Sequence, residues 1–406
     1  MCQSNPQSTL SFPARRDHLL PLEGGEGTVA EGPLLTRIAF VIPTLDQSGA
    51  ERQLTLLTTG LPRDEFQVKV IALNRGGPFA DELRAAGIEC EVLGKRFRFD
   101  PLTYMRLRAS LKSFQPDIVQ SFLFAANSYV RLPGIVPPGC KVIVSERCVD
   151  SWKSGWQLWL DRKLIGRTAA MTANSASVAD FYVSIGIPRD RISVIPNAMP
   201  LAPTELTREQ ALNLLGLEAH HRVVGFVGRL APQKRLTDVL WAFQLLHQLV
   251  DNVRLVLIGE GPETDILAEI AQGFGCRDKI VFAGHRSDAY SLMSAFEAFV
   301  LASEFEGMSN SLMEAMSLSI ACVVSDIAPN RELITHEQSG LVFPLGKSPE
   351  LTKALARLLQ DEPLSKRLGE AAKQCIADNH SVEQMVGRHQ ELYRGHAVHR
   401  SSAKGR

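Results

Sequence analysis

From residue 36 onward the chain alternates short apolar, β-branched runs with longer amphipathic stretches, and after residue 200 it does so a second time. The runs 37–44, 67–73, 89–93, 118–124, 141–145 and 169–173 read as strands, separated by helical patterns such as 50–60 and 102–114. Strands with no polar face, interleaved with helices, predict a parallel sheet covered on both sides. A polar, proline-containing stretch at 200–209 interrupts the rhythm. It restarts with the runs 223–227, 254–258, 280–283, 298–301, 321–325 and 341–343. Two successive doubly wound, Rossmann-like α/β units imply a cleft between them, with ligands at the carboxyl ends of the strands. The expected division is a disordered lead-in over 1–33, domains over 34–200 and 201–380, a terminal helix over 381–395 and a disordered tail over 396–406.

Composition narrows the function classes. Forty-four Lys and Arg balance 44 Asp and Glu, so the chain as a whole is not built to bind a nucleic acid. Seven cysteines are scattered with no Cys-x-x-Cys pair, which points to thiols in a reducing, cytoplasmic compartment and to neither zinc nor disulfides. No run of 18 apolar residues is present, so no membrane-spanning helix is expected. Residues 1–33 lack the apolar run of roughly 7–15 residues that a signal peptide needs.

Three stretches carry chemistry. After the first strand, Gly49 opens a helix, where a glycine lets the backbone approach an anion; a plain tight turn explains it equally well. After the 223–227 strand come Gly228, Arg229 and, five residues on, Lys234. Two cations at a strand's carboxyl end can clamp a diphosphate, although solvated surface cations are the ordinary alternative. Then Glu306, Gly307, Met308, Ser309, Asn310 and Glu314 follow the 298–301 strand and lead into a helix. The carboxylates suit sugar hydroxyls, and the backbone amides and helix dipole suit a phosphate. Against this, Ser311-x-x-Glu314 matches a capping box in which Glu314 merely caps its own helix.

Taken in order, Gly49-Ala50-Glu51-Arg52, Ala173-Asn174-Ser175, Val194-Ile195-Pro196-Asn197, Gly228-Arg229-Leu230 with Lys234, Gly259-Glu260-Gly261-Pro262 and Glu306-x₇-Glu314 resemble the motifs of glycosyltransferase family 4 over residues 36 to about 395. The resemblance implies the GT-B fold, a retaining mechanism, a first domain on the acceptor side, a second domain that binds a nucleotide sugar, and a C-terminal helix that crosses back to the first. It implies that Gly49 admits the donor phosphates, that Arg229 and Lys234 hold the leaving diphosphate, that Glu306 accepts from the donor sugar, and that Glu314 holds the ribose. Gly284, His285 and Arg286 would lie near the base, and Arg147 at a strand end would face the acceptor.

The chain departs from the family pattern in three places. Phe122 stands where an active-site histidine is common, and it and Asn127, at the end of that segment, are expected on the acceptor side with Arg147; no histidine occurs between residues 34 and 200. Ala198 replaces a glycine. Ser319 and Ala321 replace a glycine and a proline.

One segment concerns partners. Trp152, Trp156 and Trp159 follow helical i, i+4, i+7 spacing, and residues 95–167 hold 13 Lys or Arg against 5 Asp or Glu. A basic, aromatic surface suits an anionic membrane and a lipid-linked acceptor. The competing reading is a helix that buries its tryptophans in the first domain's core.

The sequence therefore predicts an enzyme that moves a hexose-type unit from a nucleotide-diphosphate donor to a hydroxyl acceptor, lipid-linked or polysaccharide, at the cytoplasmic side of a membrane. With no Asp-x-Asp in the chain, no metal cofactor is expected. The alternatives are an epimerase or phosphorylase on the same architecture, or a catalytically silent sugar-nucleotide-binding protein.

Overall fold

The computed structural model describes residues 35–97, 100–149 and 153–397. The lead-in over 1–33, Trp152 and almost all of the 396–406 tail lie outside the described residues. The first sheet contains β1 (Thr36–Thr44), β2 (Phe66–Arg75), β3 (Glu89–Val92), β4 (Ile118–Phe122), β5 (Lys141–Glu146), β6 (Ala170–Ala173) and β7 (Ile192–Val194). The second contains β8 (Arg222–Val227), β9 (Val253–Ile258), β10 (Ile280–Gly284), β11 (Ala298–Leu301), β12 (Ala321–Ser325) and β13 (Leu341–Phe343). Their orders are β3-β2-β1-β4-β5-β6-β7 and β10-β9-β8-β11-β12-β13, with every strand pairing parallel.

The strand pattern has a simple cause. In β1, Ile38, Phe40 and Ile42 enter one hydrophobic cluster while Ala39 and Val41 enter another on the opposite face. Both faces are covered, so the centre of the strand is apolar on each side. The strand order reverses between β1 and β4 in the first sheet and between β8 and β11 in the second. Such reversals open a crevice at the carboxyl ends of the diverging strands.

Two turns differ from expectation. The strand expected to run to residue 124 stops at Phe122, because Leu123 takes a left-handed conformation (φ 68°) and starts the helix Leu123–Val130 at once. A leucine pays a steric penalty there, and this one lines the cleft. Ser319, which replaces the family's glycine, also lies in the left-handed region (φ 60°). Ala198 makes no demand for glycine: its N–H and C=O are both held by the Gln53 side-chain amide, at 2.8 and 2.7 Å.

The C-terminal helix Val382–His396 lies on the first sheet's side of the molecule. Tyr393 is fully buried, edge-on to Phe40 and Phe66, and its hydroxyl donates to Gln120. Arg394 adds a two-pronged pair to Glu65, both bonds 2.7 Å. Just before it, His380 O accepts from Met199 N (2.9 Å), and His380 Nδ1 lies 3.2 Å from Asn197 O, so the chain's two crossings between the sheets run side by side.

Candidate active site

Both reversal points open into one cleft of about 1140 Å³. Its first-domain wall comes from the start of the helix Gly49–Gly60 after β1, from Leu123 after β4 and from Arg147 after β5. The second-domain wall comes from Gly228 to Lys234 after β8, from Gly259 and Glu260 after β9, from His285 and Arg286 after β10, and from the loop after β11.

The loop after β11 is held tightly. Gln233 accepts from Glu304 N (2.9 Å) and its side chain donates to Phe305 O (2.7 Å). That clamp brings Glu306 to Lys234, with Nζ 2.5 Å from Oε1 and both side chains largely buried. From the other side, Val149 N donates to Glu306 O (3.0 Å), and Cys148 and Gly307 form an antiparallel β-bridge. A Cβ on Gly307 would sit 2.0 Å from Arg147 O, so no other residue fits this contact between the two domains.

Arg229 is exposed to the cleft and, among the described residues, has no carboxylate partner. The helix Asn310–Ser317 starts at Ser309, whose hydroxyl accepts from Leu312 N. Ser309 is therefore the cap, and the third helical position is Leu312. This overturns the capping-box reading of Glu314, which needs the carboxylate at that third position. Glu314 instead meets Arg52 of the first domain, Nη1 to Oε1 3.0 Å, and burial pushes its carboxyl pKa up against the pull of that cation. Asn310 reaches the same helix of the first domain, donating to Gly49 O at 3.0 Å.

Arg147 lines the cleft. Its guanidinium donates to Asn197 Oδ1 and lies 5.8 Å from the centre of the Phe122 ring. Burial lowers its pKa to about 10, opposed by Glu51, so it remains a cation at neutral pH. Phe122 and Asn127 are not brought to the cleft surface. Phe122 is buried, and Asn127 is spent inside on Ser121, Ser145 O and Glu146. Gly284 sits beside a smaller hollow lined by Glu260 and Thr264, and His285 N donates to Glu260 at 3.2 Å. Arg286 is turned to Asp288 in a two-pronged pair at 2.8 and 2.7 Å.

Sequence reasoning assigned no role to Arg52, Gln53, Asn197 or Gln233, which fasten the loops together. Arg52 and Asn197 stood inside quoted motifs; Gln53 and Gln233 gave no signal.

Two doubly wound domains facing each other across a cleft built at their reversal points define the GT-B class. Comparison with known proteins agrees: residues 47–203 match the family described as Glycosyltransferase Family 4, and residues 208–375 match Glycosyl transferases group 1. The chain belongs to these glycosyltransferases. It is 25% identical to N-acetyl-alpha-D-glucosaminyl L-malate synthase of Bacillus anthracis over 44% of this chain and 46% of that one, so the match spans about half of that relative. It is 24% identical to the lipopolysaccharide core biosynthesis glycosyltransferase LpsD of Rhizobium meliloti, over 86% and 95% of the two chains. The structure of Anabaena HepE in complex with UDP-glucose superposes with a TM-score of 0.78 at 20% identity, covering 88% of this chain and 99% of that one.

If Glu314 holds a ribose, Glu314→Gln exchanges a charged acceptor for a weaker neutral one. The Kd for a nucleoside diphosphate should rise about five- to tenfold by calorimetry. An unchanged Kd would leave Glu314 as a partner of Arg52 only.

Proposed function

We propose that this chain transfers a sugar from a nucleotide-diphosphate donor to a hydroxyl acceptor, with retention and without a metal, in polysaccharide or glycolipid synthesis at the cytoplasmic side of a membrane. The observation that carries this reading is the grouping of Arg229, Lys234, Glu306 and the start of the Asn310–Ser317 helix on one wall of the cleft, opposite Gly49. We take the division between the domains to fall near residue 200.

In this reading the diphosphate lies against Arg229 and Lys234, beside the amides of Gly307 to Asn310. These groups hold the charge that grows on the leaving phosphate as the glycosidic bond breaks. Glu306 accepts from the sugar hydroxyls, and its contact with Lys234 ties the sugar's position to that of the leaving group. Glu314 accepts from the ribose once Arg52 yields to it. The hydroxyl acceptor enters from the Arg147 side and attacks the face the diphosphate leaves. Same-face attack needs no covalent intermediate on the protein, unlike the two-carboxylate glycosidase route. The relation to a lipopolysaccharide core enzyme supports the biosynthetic setting.

The test is turnover with a panel of nucleotide sugars, in the presence and absence of EDTA. Chelation should leave the rate unchanged, because protein cations do the work a bridging metal would do. A rate abolished by EDTA and restored by magnesium or manganese would overturn the metal-free part. Proton NMR of the product should find the donor's anomeric configuration kept.

A further inference from the structure

The helix Gly155–Leu164 does the opposite of what its aromatic spacing suggests. Its two described tryptophans face out, Trp156 at 44% and Trp159 at 57% exposure, while Asp161 is fully buried. The core reading of these rings is therefore wrong. They continue into a larger surface. The helix Pro101–Phe114 exposes Leu102 (59%) and Met105 (64%), and Phe97 before it is 69% exposed. That helix is stitched to the turn after Arg131: Tyr104 donates to Pro133 O at 2.6 Å and Arg108 to Gly134 O at 3.0 Å. Arg167, just beyond the tryptophan helix, donates to Arg131 O at 3.2 Å. These hydrogen bonds tie the three elements into one region of the first domain.

Its charge is one-sided. Arg96, Arg106, Arg108, Lys112, Arg162, Lys163 and Arg167 are all exposed, and none has a carboxylate within ion-pair distance among the described residues. Every described acidic residue between 95 and 167 is turned inward: Asp100 caps a helix, Asp117 accepts from Arg37 N, and Glu146 and Asp161 are buried with Lys153 and Arg131. Glu91, at the edge, is engaged by Lys69 at 2.8 Å.

We propose that this face docks the first domain on an anionic lipid bilayer. Unpaired cations answer acidic headgroups, and large apolar side chains between them enter the headgroup boundary. Leu102 and Met105 are what separates a bilayer from a nucleic acid, since an aliphatic side chain finds nothing to bury against on a phosphate backbone. The face also adjoins the cleft: the Trp156 ring packs edge-on against Phe124 at 5.9 Å, next to Leu123 on the cleft wall. An acceptor held in the bilayer surface would meet the cleft at that edge. The docking itself does not rest on the proposed reaction.

The experiment is co-sedimentation of the full chain with phosphatidylcholine vesicles, with and without a third of phosphatidylglycerol. Anionic vesicles should pellet the protein, neutral ones far less, and added salt should release it. Neutralising Arg162 and Lys163 together (both to Gln) should weaken binding about 25-fold, about fivefold for each cation. Trp159→Ser should weaken it while leaving the melting temperature unchanged. Equal binding to both vesicles, or binding indifferent to all three substitutions, overturns the proposal. So does a dimer that Trp159→Ser dissociates, or RNA binding in place of vesicle binding.

Discussion

Lys234→Ala should lower turnover about 10²- to 10³-fold, the usual cost of removing a group that stabilises charge formed in the transition state. The loss should exceed that of Arg229→Ala, for a reason visible in the contacts of the two cations. Arg229 is exposed and, among the described residues, has no carboxylate partner, so its removal takes away one charged contact with the donor and strands no carboxylate there. Lys234 is paired at 2.5 Å with Glu306, whose side chain is only 9% exposed. Without Lys234 that carboxylate is stranded, and it would sit close to the donor diphosphate as a like charge. Lys234→Ala should therefore also weaken nucleoside-diphosphate binding more than Arg229→Ala does. The double substitution Lys234→Ala with Glu306→Gln should recover part of that binding but not turnover. Equal effects of Lys234→Ala and Arg229→Ala on both quantities would refute the coupling.

Asp161→Asn should destabilise the first domain by about 3–5 kcal/mol, the range for breaking a buried ion pair from one side. Asp161 accepts from Arg131 Nη2 at 2.6 Å and from Lys153 Nζ at 3.2 Å, and all three side chains are shut away from water. Lys153 also donates to the Tyr182 hydroxyl at 2.6 Å, and Arg131 to Asn127 O at 2.7 Å. Neutralising Asp161 leaves two buried cations with Glu146 as the carboxylate named beside them, 3.5 Å from Lys153. For a domain of this size the melting temperature should fall on the order of 10 °C. Nucleotide affinity of the protein that remains folded should be unchanged, since Asp161, Arg131 and Lys153 do not line the cleft. A melting temperature within about 2 °C of the parent would mean that the pair contributes little, as buried pairs sometimes do.

That cluster also marks the limit of what the sequence makes legible. Strands such as 298–301, 321–325 and 341–343 can be read to the residue, because burial on both faces makes the run mostly apolar against its surroundings. The strand Ile192–Val194 does not stand out, because Ser193 at its centre breaks the apolar run. Trp156 and Trp159 do fall on one helix, Gly155–Leu164, but spacing says nothing about which way their side turns. Here an acid took the inward position because Arg131 and Lys153 were waiting there, brought from elsewhere in the chain by the fold. The site divides in the same way. Lys234 and Glu306 announce themselves by following strand ends. The contact of Arg52 with Glu314 joins residues 262 apart in sequence, and no local pattern carries it. Ser309 and Ser311 are both plausible caps two residues apart, and only the backbone decides between them.

The paired crossings at Asn197–Met199 and His380 bear on how such a molecule can move. One connecting strand behaves as a swivel; two laid together and hydrogen-bonded behave as a strap, which folds across its width but resists torsion. Opening of the cleft should therefore follow a single arc. Along that arc Glu332, which accepts from Ala176 N and Ser177 N at 2.8 Å each, parts from the start of the first-domain helix Ala176–Ser184 as Arg52 parts from Glu314. A nick in either ply would turn the strap back into a swivel, and substrate would then meet walls that no longer return to the same alignment.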